Sequence, residues 1–157
     1  MADIIDGDRL KKDILSDMRV ELTDEFDQNF TRKAFFTKKW QKRKDPNALG
    51  SLLHVTGTLR RSIKSSVTTK GVRFTSQVPY ATIHNEGGKG TLTVRSHTRT
   101  NHKTGRTYAV RSYSRRFNMP QRQFIGDGKE TQKLIRNVIE DNLNKYHVSL
   151  TKFIRKK

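Results

Sequence analysis

The chain has no cysteine among its 157 residues. Disulfides, cysteine–zinc centres and thiol nucleophiles are excluded, and the composition suits folding in a reducing compartment. Proline occurs three times, and no Pro- or Gly-rich linker divides the chain, so residues 1–157 are expected to form a single domain with arms. No apolar run approaches the roughly 20 residues that span a bilayer, and no membrane partner is expected. The opening MADIIDGDRL has no basic region ahead of an apolar one, so a secretory signal is not expected there. No repeat of about 20–50 residues is visible. Leu, Ile, Val and Phe supply only 37 residues, or 24%. That is just above the roughly 20% below which highly charged chains stay disordered. A folded chain with a thin core follows.

Acidic residues are scarce outside one region. The chain carries 33 Lys and Arg against 15 Asp and Glu, a net charge of +18. Nine of the fifteen acids (Asp3, Asp6, Asp8, Asp13, Asp17, Glu21, Asp24, Glu25, Asp27) fall in residues 1–30, leaving residues 31–157 at +23. Between Glu86 and Asp127 there is no acid and there are nine cations. A free monomer would repel itself, and a polyanion or an acidic neighbour would relieve that. The acidic stripe Asp13, Asp17, Glu21 and Asp24 is either a solvated helix face or the contact of one copy's N-terminal segment with another copy's body.

Apolar spacing predicts one long helix from Asp8 to about Arg32, with Leu10, Ile14, Met18, Leu22, Phe26 and Phe30 four residues apart. Asp6 and Asp8 suit its N-terminus. Residues 34–45 mix Phe35, Phe36 and Trp40 with five cations. They read as a helix continuation whose rings close the core, or as a stacking platform for single-stranded nucleic acid. Pro46 and Gly50 bracket a loop. A short helical or turn segment surrounds Gly57, and 63–68 and 72–78 alternate as hairpin strands about Thr69-Lys70-Gly71. One or two helical turns cover 80–86, closed by Gly87-Gly88. Residues 89–118 read as a long basic β-hairpin, or a flexible loop with hairpin tendency, turning at Asn101–Gly105. Asp127 and Glu130 suggest a capping box for a final helix with Leu134, Ile135, Val138, Ile139, Leu143 and Tyr146 on one face. Residues 147–157 read as a basic, frayed tail.

Catalytic signals are weak. The five histidines (His54, His84, His97, His102, His147) are scattered, and neither HExxH, a P-loop nor GxGxxG occurs. His84-Asn85-Glu86 is the one compact trio suited to acid–base chemistry, as a small nuclease would need. A packed, hydrogen-bonded His84 is the competing reading. No catalytic residue, metal or cofactor is expected.

Three stretches in order carry a resemblance. They are Phe36…Trp40…Leu52-Leu53…Thr56-Gly57-Thr58-Leu59-Arg60-Arg61-Ser62-Ile63, then Val78-Pro79-Tyr80-Ala81-Thr82-Ile83-His84-Asn85-Glu86-Gly87, then Met119-Pro120-Gln121-Arg122-Gln123-Phe124-Ile125-Gly126 before a terminal helix. Over roughly residues 30–146 the chain resembles the virion-morphogenesis or tail-completion proteins of tailed bacteriophages, including the Mu-like family. Residues 89–118 are longer and more basic than the link that family has there, and Gln123 stands where it often has Pro. The resemblance implies a non-enzymatic neck subunit in the virion, assembled in the host cytoplasm. It implies a homo-hexameric ring joining the head-completion or connector protein to the tail terminator protein, around channel DNA.

The expected architecture is α+β. A small antiparallel sheet of three or four strands is packed by a long N-terminal helix and a C-terminal helix, with a protruding basic hairpin. Trp40, Gly57, Leu59, Tyr80, His84, Gly87 and Phe124 are expected scaffold positions, with Tyr80 and Ile83 sealing the sheet's edge. Arg122 is expected to clamp the final helix or to face a neighbouring subunit. Arg95, Arg99, Lys103, Arg106, Arg111, Arg115 and Arg116 are expected to face DNA or a protein partner. A free nucleic-acid-binding protein using residues 89–118 as its arm is the rival.

Overall fold

The computed structural model describes residues 7–154 except 44, 46, 48 and 49, with side chains up to residue 147. The expected Asp6 cap and the Pro46 end of the loop lie outside the described residues. Helix α1 runs Gly7–Arg32 and α4 runs Lys129–Ile154, eight residues beyond the apolar face read from the sequence. The helices pack antiparallel: Asn142 Nδ2 reaches Asp17 near one end, and Gly128 meets Phe35 near the other. Met18, Leu22 and Phe26 of α1 bury against Val138, with Leu134, Ile135 and Ile139 around them. Each such apolar side chain taken from water contributes about 1.5–3 kcal/mol, so this seam is the main support of the pair.

At Lys33 the backbone turns left-handed (φ 55°) and α1 stops. Residues 34–45 do not continue it. They form a tight hairpin, β1 (Ala34–Phe35) against β2 (Lys38–Lys39), with Phe36 also left-handed at φ 51°. The cause is Asn29, whose Oδ1 accepts the Phe36 N–H at 2.9 Å and the Arg32 guanidinium at 2.8 Å. Trp40 then enters a second core cluster with Phe30, Leu59, Ala81 and Phe124. Ile125 touches both clusters.

The expected single sheet is divided into ribbons. Short helix α2 (Thr58–Ser62) leads to β3 (Lys64–Thr68), paired with β4 (Gly71–Thr75) from Lys64↔Thr75 to Thr68↔Gly71. Helix α3 (Ala81–Glu86) leads to β5 (Gly88–Val94), which pairs with β8 (Tyr113–Met119). Between them β6 (His97–Thr100) pairs with β7 (Thr107–Val110). The described ladders are all two-stranded and antiparallel, and the fold is α+β as read. Residues 89–118 thus take the hairpin form. Both ladders keep one register, with 95–96 and 111–112 unpaired between them. The turn is built as its sequence suggests: Asn101 Oδ1 accepts the N–H groups of Lys103 and Thr104, and Gly105 adopts φ 68°.

The start of α4 differs from the capping box. Asp127 accepts the Gly128 N–H and the Gln132 amide, and Thr131 bonds Gly126 O. Glu130 is exposed and makes no return bond among the described residues.

Candidate functional site

The second motif stretch, with Asn29 and Trp40, holds the third, residues 119–126, and Leu59 of the first packs in the same cluster as Phe124. Phe124 is fully buried, and its backbone is held on both sides. Asn85 Oδ1 accepts the N–H groups of Phe124 and Ile125 at 2.9 and 3.1 Å, and Asn29 Nδ2 donates to Phe124 O at 3.0 Å. Trp40 Nε1 donates to Gln123 O at 2.6 Å. The Arg122 N–H donates to His84 O at 2.8 Å. Gly87 (φ 75°, ψ −177°) lies so close to this segment that a Cβ would stand 2.8 Å from Gln121 N. These bonds occupy buried backbone groups that would otherwise cost about 1–3 kcal/mol each. The sequence motif is therefore a structural latch.

Arg122 belongs to the latch and not to an exposed interface. It is 6% exposed, and its guanidinium donates to Gln41 O at 3.0 Å and lies 3.5 Å from Lys42 O. Burial, and then the charge of Arg43, push its pKa down. Among the described residues it makes no ion pair. It ties residues 41–42 to the latch, not the base of α4. Tyr80 also departs from expectation. It is 45% exposed and meets His84 edge-on with ring centroids 5.8 Å apart, whereas Ile83 lies against Gly88 at the start of β5. Trp40, Leu59 and Phe124 are buried, and Gly57 is left-handed (φ 74°). Since Trp40 faces the core with its ring 5.8 Å from Phe30, the stacking platform is not available.

The His84-Asn85-Glu86 trio does not converge on an acid–base pair. Asn85 is committed to the latch and Glu86 is exposed. His84 borders a cavity of about 330 Å³ shared with Leu52, Leu53 and Tyr80. Its Nδ1 is buried and has no hydrogen-bond partner among the described residues, so the expected bonded packing is corrected to packing alone. Burial, and then the Arg122 charge, lower its pKa. Among the described residues no three His, Cys, Asp or Glu side chains group as a metal would require. No helix of the structure is long and apolar enough to cross a membrane.

Two charged surfaces remain. On α1, Asp13, Glu21 and Asp24 are exposed, whereas Asp17 is drawn to α4, with Asn142 Nδ2 at 3.0 Å and Lys145 Nζ at 3.9 Å. Val20 lies among these acids, 56% exposed. Sequence reading missed Asp27, which pairs with the Arg60 guanidinium of α2. That hydrogen bond is the chief reason its carboxyl stays below the usual range. Asn29 was missed too, although a polar residue between Phe26 and Phe30 on the apolar stripe is the signal that finds it.

The second surface is the hairpin. Arg95, Arg99, Lys103, Arg106, Arg111, Arg115 and Arg116 are all exposed, and among the described residues none makes an ion pair. Cross-strand partners share a face. Leu92 with Arg115, Val94 with Tyr113 and Gly90 with Phe117 lie on one side of β5–β8, and Thr91 with Arg116 on the other. Arg99 faces Tyr108 in the outer ladder. Arg95 and Arg111 occupy the unpaired break, and Lys103 and Arg106 the tip.

Such a molecule is a latched scaffold that presents one acidic and one basic surface. The chain belongs to the phage virion morphogenesis family, whose sequence profile matches residues 11–144. No curated protein and no solved structure matches it. A phage structural and assembly role follows from the family.

Proposed function

We propose that the chain is a neck or tail-completion subunit, non-enzymatic, forming a six-fold ring between the head connector and the tail terminator around the DNA channel. The observation that carries this reading is the family match over residues 11–144 on a fold whose motif residues are spent on the latch. The opposite charge of α1 and the hairpin supports it, because a ring subunit needs two different surfaces for its two neighbours. The thin, divided core fits a subunit whose stability depends on assembly. DNA in the lumen needs only non-specific phosphate attraction from the basic side.

Suppressing this protein during infection tests the reading. Filled heads and complete tails should accumulate unjoined in electron micrographs of the lysate. Joined, infectious particles, or an absence of heads, would overturn it. A second reading, a free nucleic-acid-binding protein, draws on seven exposed arm cations without a counter-charge. It requires sequence-independent DNA binding by a monomer or dimer, with a log–log salt slope that drops by about one per phosphate contact removed.

A further inference from the structure

We propose that the β5–β8 face of the hairpin docks on the outward face of α1 in the next copy of the same chain, a contact that rests on the ring reading and specifies its subunit interface. The two surfaces match in kind. On the hairpin, Leu92 is 60% exposed beside its direct partner Arg115, and Tyr113 is 48% exposed beside Val94. On α1, the exposed Val20 has the exposed Asp24 one turn after it, with Glu21 further round the outward face and Arg19 and Arg61 on the border of the groove beside it. Each patch has an exposed apolar side chain with a charge beside it, Arg115 on the hairpin and Asp24 on the helix.

Dimensions agree as well. Seven residues of β5 extend roughly 23 Å, and the helix from Asp13 to Asp24 extends roughly 17 Å. Within one molecule Leu92 and Val20 both stay exposed, so the chain's own hairpin does not cover its own α1. The patches differ from one another, so the contact is head-to-tail, and repeated rotation closes it into a ring. A DNA backbone would satisfy Arg115 but leave Leu92 and Tyr113 against phosphate and water.

The lack of cysteine makes the test clean. Val20→Cys and Leu92→Cys are introduced singly and together in the full chain, and treated with a short bismaleimide at low salt. The double variant should give a ladder of covalent oligomers ending at the closed ring, and each single variant dimers at most. High salt before cross-linking should shorten the ladder. Glu21→Lys with Asp24→Lys should abolish it, and adding Arg115→Glu, which reverses the cation on the Leu92 face, should restore part of it. Circular dichroism verifies that these surface variants fold. A double variant that stays monomeric or forms only dimers overturns the docking. So does a ladder indifferent to charge reversal while the Arg115→Glu variant loses duplex DNA binding, which would assign the arm to DNA. Neither result touches the neck reading, which stands or falls on whether heads and tails join without the protein.

Discussion

Asn29 supports three separate pieces of chain with one amide: the end of α1 through Arg32, the left-handed Phe36 and the buried carbonyl of Phe124. Asn29→Leu keeps the branched shape at a larger volume and strands the Phe36 N–H and the Phe124 carbonyl. Urea unfolding should show a loss of about 2–5 kcal/mol. Glycines 57 and 87 make a graded pair. Gly57 is ordinarily left-handed, and the nearest atom to its missing Cβ is the flexible end of Arg61. Gly87 combines φ 75° with ψ −177°, a region nearly reserved for glycine, and abuts the backbone of residue 121. Gly87→Ala should therefore destabilise by about 2–3 kcal/mol and Gly57→Ala by about 1 kcal/mol. Equal melting temperatures for the two would contradict the latch. Tyr80→Ala, at an exposed ring, should cost no more than about 1 kcal/mol.

His84 gives the residue scale a pH dependence. Burial, then Arg122, hold its imidazole below the ordinary value of about 6.5. The unfolded chain accepts a proton that the folded chain resists. Its contribution is therefore complete above about pH 6.5 and is lost as pH falls toward the lowered folded value. Urea midpoints measured downward from about pH 7.5 should decline in the native chain and decline less in His84→Gln. Identical slopes would mean that His84 is not the group that senses the acid. That Phe124 and Trp40 lie in the core was legible in the sequence. Their partners were not, because hydrogen bonds between positions 39 to 95 residues apart leave no periodic trace.

Among the elements, α1 and α4 were legible from four-residue apolar spacing, and β3–β4 and the basic hairpin from alternation around turn residues. The β1–β2 hairpin was not. Its loop, Phe36-Thr37, lacks the Gly, Asn or Asp that a left-handed position favours, and only the distant Asn29 explains it. The single sheet failed for a related reason. Alternation marks a strand but not its neighbours, and here α1 receives β1, β3 and β4 directly on its side. The hairpin's independence from the core yields a prediction. Leu92 and Arg115 are direct partners, so Asn-Gly can replace residues 93–114 as a two-residue turn. The shortened chain should melt within a few degrees of the full one, since nothing removed is buried. It should fail to join heads to tails. Fully infectious particles carrying it would deprive the arm of any role in assembly.

For the whole molecule, the pairing of α1 with α4 joins the two ends of the sequence, and the latch returns residues 119–126 to elements formed far earlier. Ribosomes deliver α1 first and α4 last. Throughout synthesis the Met18–Leu22–Phe26 stripe has no Val138 to cover it, and the Phe30–Trp40 cluster has no Phe124. Phe35, Val72 and Phe74 can cover part of the stripe earlier, but both clusters close fully only once residues 124–139 have been made. Nascent chains halted at Gly128 should be cut rapidly within α1 by a protease that leaves the finished chain intact. Protection at that stage would mean that the stripe has found another cover. A molecule whose two clusters both draw on residues 124–139 cannot complete either of them before that stretch has left the ribosome, so its order of synthesis runs opposite to its order of closure.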